Sequence, residues 1–244
     1  MKKPEMILFD YGNTLLCEPD LDFLRAQRAV FRHVTANKYN MTPEQVTEFM
    51  LEIYYDKGHP RSLGFEMQEH QFLRFVYEYL CIDLDITYPE VERVFWTAAT
   101  PGGIMPGVDK LLEYLEKSGI RTGVISNIGW SHDAMKERID RLLPDNRFEF
   151  VITSGDYLYC KPHKRIFELA LRKADLQPPD VWYCGDNVRI DIDGAGAAGL
   201  YPVWYENTHI INPWKQDKSR PLPEHEHIHI NEWHELIPIL EECE

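Results

Sequence analysis

Met6-Ile7-Leu8-Phe9 is an unbroken apolar run that stops at Asp10, the pattern of a parallel strand covered on both faces. Further runs of this kind fall at residues 122–126, 150–153, 181–184, 202–205 and, more weakly, 228–230. Helical periodicity separates several of them. Residues 107–118 carry apolar side chains at 108, 111, 112 and 115; 165–174 follows Lys161-Pro162; and 191–199 is rich in alanine and glycine, as suits a helix lying close on a sheet. Strands alternating with helices predict an α/β fold: a doubly wound, mostly parallel Rossmann-like sheet.

Between the first strand and Pro106 the pattern changes. Leu21, Leu24, Phe31 and Val34 recur at helical spacing, and Thr42-Pro43-Glu44-Gln45 reads as a capping box with proline in the first turn. Leu73, Val76, Tyr77 and Leu80 mark a third helix, and Val91, Val94 and Phe95 a fourth. The expectation is an α/β core domain over 1–17 and 102–244, interrupted by an all-helical cap domain over 18–101 with hinges near 17–20 and 100–106. The loop at 59–64 divides the cap in two. The polar, proline-punctuated stretch from 206 to 226 reads as a surface loop.

Composition adds exclusions. With 244 residues, 44% hydrophobic and 27% charged, the chain is long enough to bury an extensive core. No run approaches the roughly 18 apolar residues of a membrane span, and the N-terminus lacks a secretory signal, so a cytoplasmic protein is expected. Cysteines 17, 81, 160, 184 and 243 are scattered without a CxxC pair, as expected of reduced thiols. A formal net charge of −14 argues against a nucleic-acid partner. An anionic substrate then has to be drawn in by local cations.

In open α/β sheets ligands bind at the carboxyl ends of the strands. Four such ends carry reactive groups: Asp10, Ser126-Asn127, the Lys161 segment, and Asp186 after Cys184-Gly185. A lone aspartate after a strand is more often a turn or capping residue; four reactive ends in this order are a different matter.

That order resembles the haloacid dehalogenase-like hydrolases over nearly the whole chain. Phe9-Asp10-Tyr11-Gly12-Asn13-Thr14-Leu15 is similar to the family's first motif, Asp-x-Asp-x-Thr, and Val124-Ile125-Ser126-Asn127 to the second. Lys161-Pro162-His163-Lys164-Arg165-Ile166-Phe167 is similar to the third, a lysine at a helix start. Gly185-Asp186-Asn187-Val188-Arg189-Ile190-Asp191 is similar to the fourth and most specific. The resemblance implies a Mg²⁺-dependent phosphatase acting on a small phosphorylated metabolite, a sugar phosphate being one possibility, through an aspartyl-phosphate on Asp10. It implies Asp10, Ser126 and Lys161 as catalytic residues and Asp10, Asp186, Asp191 and the Gly12 carbonyl around the metal. Asp191 would act through water or by orienting Lys161, and the Asn127 backbone N–H would donate to phosphate. Oligomeric state is left open.

The family's first motif usually has a second aspartate, the proton donor, where this chain has Gly12. Three alternatives follow: a slower phosphatase favouring easy leaving groups, a metal-independent haloacid dehalogenase, or a binding and regulatory protein with impaired turnover. The retained Asp186 and Asp191 speak against the dehalogenase, which has no use for them.

Other residues have both a functional and a plain reading. Arg61 and His59 would reach substrate on cap closure, or lie in a solvated loop. Trp130 would stack on substrate, or pack beneath the cap. The Tyr54-Tyr55 and Phe72, Phe75, Tyr77, Tyr79 aromatics read mainly as cap core. His225, His227 and His229 read as the exposed face of an edge strand rather than a metal site, and Cys184 as a small buried residue.

Overall fold

The computed structural model describes residues 1–55, 63–207 and 222–243. In chain order the elements are β1 (Met6–Phe9), β2 (Leu16–Cys17), α1 (Phe23–Val30), β3 (Val34–Asn37), α2 (Pro43–Tyr54), α3 (Glu69–Tyr79), β4 (Ile82–Leu84), α4 (Tyr88–Ala99), β5 (Gly103–Ile104) and α5 (Val108–Lys117). They continue with β6 (Arg121–Ser126), α6 (His132–Leu142), β7 (Phe148–Thr153), α7 (Ser154–Tyr157), α8 (Lys164–Ala174), β8 (Val181–Gly185), α9 (Asp193–Ala197), β9 (Tyr201–Tyr205), β10 (Ile228–Ile230) and α10 (Leu236–Glu241).

The central sheet has the order β10-β9-β8-β1-β6-β7, and every pairing in it is parallel. From β1 the chain winds outward through β6 and β7, then returns to β8 on the other side of β1. The crevice at the carboxyl ends therefore opens between β1 and β8, where the winding reverses. Burial on both faces explains the apolar first strand. Ile7 and Phe9 join one core with α5, α6 and α10 residues such as Leu111, Met135 and Leu236. Met6 and Leu8 join the opposite core with Ile166, Phe167 and Ala170 of α8.

Helices α1 to α4, inserted between β2 and β5, enclose a core of their own around Phe72, Leu73, Val76, Tyr77, Val91 and Phe95. The expected capping box forms at Thr42 and Gln45, and Thr87 with Glu90 makes a second one at α4. Two details differ from the sequence pattern. Helix α1 ends at Val30, and Val34 opens strand β3, which pairs antiparallel with β4. Beta-branched Val34 and Thr35 suit a pleated ribbon better than a helix, so the insert is not all-helical. The exposure of Tyr55, Phe75 and Tyr79 also leaves only Phe72 and Tyr77 of the aromatic cluster buried.

Where the chain leaves and re-enters the main sheet, β2 and β5 pair antiparallel. Arg138 of α6 locks this crossing from below. It is buried, its guanidinium lies 3.9 Å from the Trp96 ring, and it donates to Glu18 and to the carbonyls of Trp96 and Thr100. All five cysteines are free thiols. Among the described residues no helix is long and apolar enough to cross a membrane. Most of the expected surface loop at 206–226 lies outside the described residues.

Candidate functional site

Asp10 follows β1 directly, and its N–H donates to the Cys184 carbonyl on β8 (2.8 Å), fixing the residue at the strand crevice. The next residues turn sharply: Leu15 and Leu16 N–H both return to the Tyr11 carbonyl, with Asn13 in the left-handed region at φ 58°. Asparagine tolerates that conformation better than most residues. Buried Trp233 donates its indole N–H to the Thr14 carbonyl, and the Thr14 hydroxyl lies 3.4 Å from Asp10 Oδ2.

Lys161 lies in the loop before α8, three residues ahead of the helix rather than at its start. The Asn127 side chain clamps its peptide, accepting from Lys161 N (2.7 Å) and donating to Lys161 O (2.8 Å). The Lys161 ammonium then reaches Asp10 Oδ1 (2.7 Å), Asp191 Oδ1 (2.7 Å) and the Tyr183 hydroxyl (2.6 Å). Burial pulls this amine toward the neutral form, and the two carboxylates more than offset it, so its pKa lies above the ordinary value.

The Gly185-Asp186 turn brings the fourth strand end to the same place. A pi-helical turn over Val188–Ile192, followed by the short α9, replaces the single helix expected over 191–199. That wider turn folds Asp191 back against β8, where the Asn187 N–H donates to its Oδ2 (3.0 Å). The return passes so close to the strand that a Cβ at Gly185 would sit 2.4 Å from the Asp191 Cβ. Only glycine leaves room.

One ligand oxygen each from Asp10, Asp186 and Asp191 lies within 4.8 Å of the others. Three carboxylates thus converge at one point, and the Lys161 ammonium reaches two of them, Asp10 and Asp191. Burial pushes the Asp10 carboxyl up, Lys161 pulls it down, and Asp191 and Asp186 raise it again, leaving it at about 7. An all-oxygen donor set of three carboxylates suits a hard divalent cation such as Mg²⁺.

Ser126 closes β6 and is buried. At Gly12 an added Cβ would meet nothing within 4 Å, so glycine is not enforced there by crowding. Trp130 stacks on Trp96 at 4.8 Å with the rings within 6° of parallel. Both rings line a cavity of about 200 Å³ between the inserted helices and the main sheet, which Asn127 borders as well. Trp130 thus packs beneath the inserted helices and also faces this cavity. Arg61 and His59 lie outside the described residues. His229 is the exposed residue between buried Ile228 and Ile230 on edge strand β10, as expected. Cys184 is fully buried, and burial holds its thiol well above the usual range.

Sequence reasoning missed Tyr183. Alternation along β8 places Tyr183 with Val181 in one core and Trp182 with Cys184 in the other. A tyrosine facing a buried helix layer in an apolar strand implies a hidden partner for its hydroxyl, and that was the available signal. The glutamate joining the insert to the second motif was also not singled out: Glu92 of α4 is buried and accepts from the N–H (2.7 Å) and the hydroxyl (2.6 Å) of Ser131.

A family model for haloacid dehalogenase-like hydrolases matches residues 4–199. A glyceraldehyde 3-phosphate phosphatase of Pyrococcus abyssi is 34% identical over 83% of this chain and 81% of its own length. A ribulose-1,5-bisphosphate 5-phosphatase of Halopiger xanaduensis is 24% identical over 82% of this chain and 84% of its own. Among solved structures, a phosphatase from Thermococcus onnurineus superposes with a TM-score of 0.65 at 22% identity, over 100% of this chain and 99% of that one.

Replacing Gly185 by alanine is expected to cost about 1–3 kcal/mol of stability by overpacking and to lift Asp191 off Lys161. Urea unfolding and a crystal structure of the variant check this. Unchanged stability with the Lys161–Asp191 contact intact would contradict it.

Proposed function

The chain belongs to the haloacid dehalogenase-like hydrolases, and from that premise we propose that it is a Mg²⁺-dependent phosphatase of small phosphorylated metabolites, sugar phosphates first among them. The observation that carries the reading is the convergence of Asp10, Lys161, Asp186 and Asp191 at the crevice between β1 and β8. The phosphatase names of its relatives support it. A metal-free dehalogenase would gain nothing from three carboxylates converging there.

The chemistry follows from charge. A carboxylate approaching a phosphate dianion at 4 Å meets repulsion of roughly 8 kcal/mol at an effective dielectric of 20. Held by Asp10, Asp186, the Gly12 carbonyl and, directly or through water, Asp191, the cation would supply the positive charge that offsets this repulsion. Asp10 attacks phosphorus, the ester P–O bond breaks, the leaving alkoxide takes its proton from water, and an aspartyl-phosphate forms. Water then attacks phosphorus, the bond to Asp10 breaks, and inorganic phosphate leaves with the carboxylate restored. Lys161 orients Asp10 and favours its ionised form against the pull of burial. Ser126 and the Asn127 N–H donate to phosphate oxygens. The cavity beside Trp130 takes the leaving group, and the inserted helices act as a cap over it.

Gly12 cannot protonate the leaving alkoxide. General acid–base assistance is typically worth about 10²–10⁴-fold, or roughly 3–5 kcal/mol. The reading is therefore of a phosphatase slower than its relatives with aspartate at this position, favouring esters whose alcohol departs easily.

A panel of sugar and polyol phosphates, assayed with and without Mg²⁺, tests the proposal. Turnover that vanishes on chelation and in Asp10→Asn is expected, and Gly12→Asp, for which there is room, should accelerate poor leaving groups most. If no ester turns over in Mg²⁺ while phosphorylated ligands still raise the melting temperature, the chain is a binding protein instead. Halide release from haloacids without metal would point to the dehalogenase.

The raised Asp10 pKa sets a sign for pH. Below about 7 the proton competes with the cation for this carboxylate. Mg²⁺ affinity measured by calorimetry should thus fall by up to about tenfold per unit of acidification below that point and level off above it. A pH-independent affinity between 5.5 and 8 (about two and a half units) would contradict the assignment of Asp10 as a ligand.

A further inference from the structure

Lysine carries three N–H donors and no acceptor. In Lys161 all three have partners: Asp10 Oδ1, Asp191 Oδ1 and the Tyr183 hydroxyl. The first two are the carboxylates that any phosphatase reading would assign to this amine. The third is different. Tyr183 is fully buried on β8, its ring packs edge-on against Phe167 at 5.2 Å, and its hydroxyl lies 3.2 Å from the Ile125 carbonyl on β6. It accepts from Lys161, and its own proton has the Ile125 carbonyl at 3.2 Å and, further off, Asp191 Oδ1 at 3.4 Å, the shorter contact tying the amine to the strand that carries Ser126. That connection passes beneath β1, the strand between β8 and β6.

We propose that Tyr183 is a positioning residue: its hydroxyl takes the third donor of Lys161 and so dedicates that amine to Asp10 and Asp191, leaving no N–H for the phosphoryl group of a bound substrate. The role deepens the phosphatase reading and rests on it for its kinetic consequences, although the hydrogen bond itself does not. The alternative use of a lysine in such a site, as a direct phosphate ligand, needs a donor that this geometry has already spent. A tyrosine is suited to the task because its ring is held by packing on both sides. Its hydroxyl can accept and donate at once, whereas phenylalanine would leave both the ammonium proton and the Ile125 carbonyl without this partner.

The test is Tyr183→Phe, which keeps the ring and its packing. With the third donor freed, Lys161 turns partly toward the phosphate. Inorganic phosphate should then inhibit at several-fold lower concentration, KM should fall or hold, and kcat should drop by about tenfold, the size of one charge-assisted hydrogen bond. A purely structural role would leave phosphate affinity unmoved and lower kcat only through the folded fraction, and that result would overturn the proposal. A second measurement needs no turnover. In protein labelled with ¹⁵N-lysine, the Lys161 ammonium, identified by its loss in Lys161→Arg, should give a signal protected from solvent exchange, and Tyr183→Phe should accelerate that exchange. Equal exchange in both proteins would also overturn the proposal. Should the wild type hydrolyse no phosphate ester, the phosphatase reading fails, and the exchange measurement still decides whether Tyr183 restrains Lys161.

Discussion

A buried lysine ammonium is among the least tolerable groups in a protein interior unless its donors and its charge are both satisfied. Lys161 is satisfied completely, by the carboxylate that follows β1, a tyrosine hydroxyl on β8 and the carboxylate in the turn after β8. The rest of the site is arranged around that requirement. Removing any one acceptor leaves a buried donor without its present partner. Removing the lysine leaves Asp10 and Asp191 beside each other with nothing between them. The cluster is therefore held by mutual need, and it holds β1, β8 and the loop before α8 in a single register at the sheet's open end.

Backbone geometry makes this convergence possible. The reversal of winding between β1 and β8 puts two carboxyl-bearing strand ends side by side. Gly185 lets the chain fold back over the end of β8, so that Asp191 arrives beside a lysine thirty residues earlier in the chain. Asn127 brings the lysine's own peptide into place from the opposite side of β1. Burial, with Asp191 and Asp186 adding to it, pushes the Asp10 carboxyl up to about 7 against the pull of Lys161, and the convergence of three carboxylates at one point is the physical argument for a cation.

Much of this could be read in the chain itself. The buried strands were legible because parallel strands covered on both faces are continuous apolar runs, and Asp10, Lys161 and Asp191 stood out because ionisable residues ended those runs or followed them closely. Other features were hidden for identifiable reasons. The ribbon of β3 and β4 was masked because Val34 sits four residues beyond the last turn of α1 and keeps its helical phase by coincidence. The pi-helical turn at Val188–Ile192 shares its composition with an ordinary helix, so nothing local announced it. Asn127 was expected to offer its backbone N–H, yet it is the side chain that clamps Lys161, a role fixed by a partner 34 residues away. Tyr183 was concealed because its apolar body fits the strand pattern, and only the fate of its hydroxyl distinguishes it.

The central claim is that Asp10, set at the strand end by these neighbours, forms a bond to phosphorus. The most direct test quenches the turning-over enzyme in acid, where acyl phosphates persist, and maps the digested protein by mass spectrometry. The account predicts one phosphoryl group on the peptide that begins the chain, at Asp10, absent without Mg²⁺. A protein that hydrolyses phosphate esters but carries no such group, or carries it on any other residue, would contradict it.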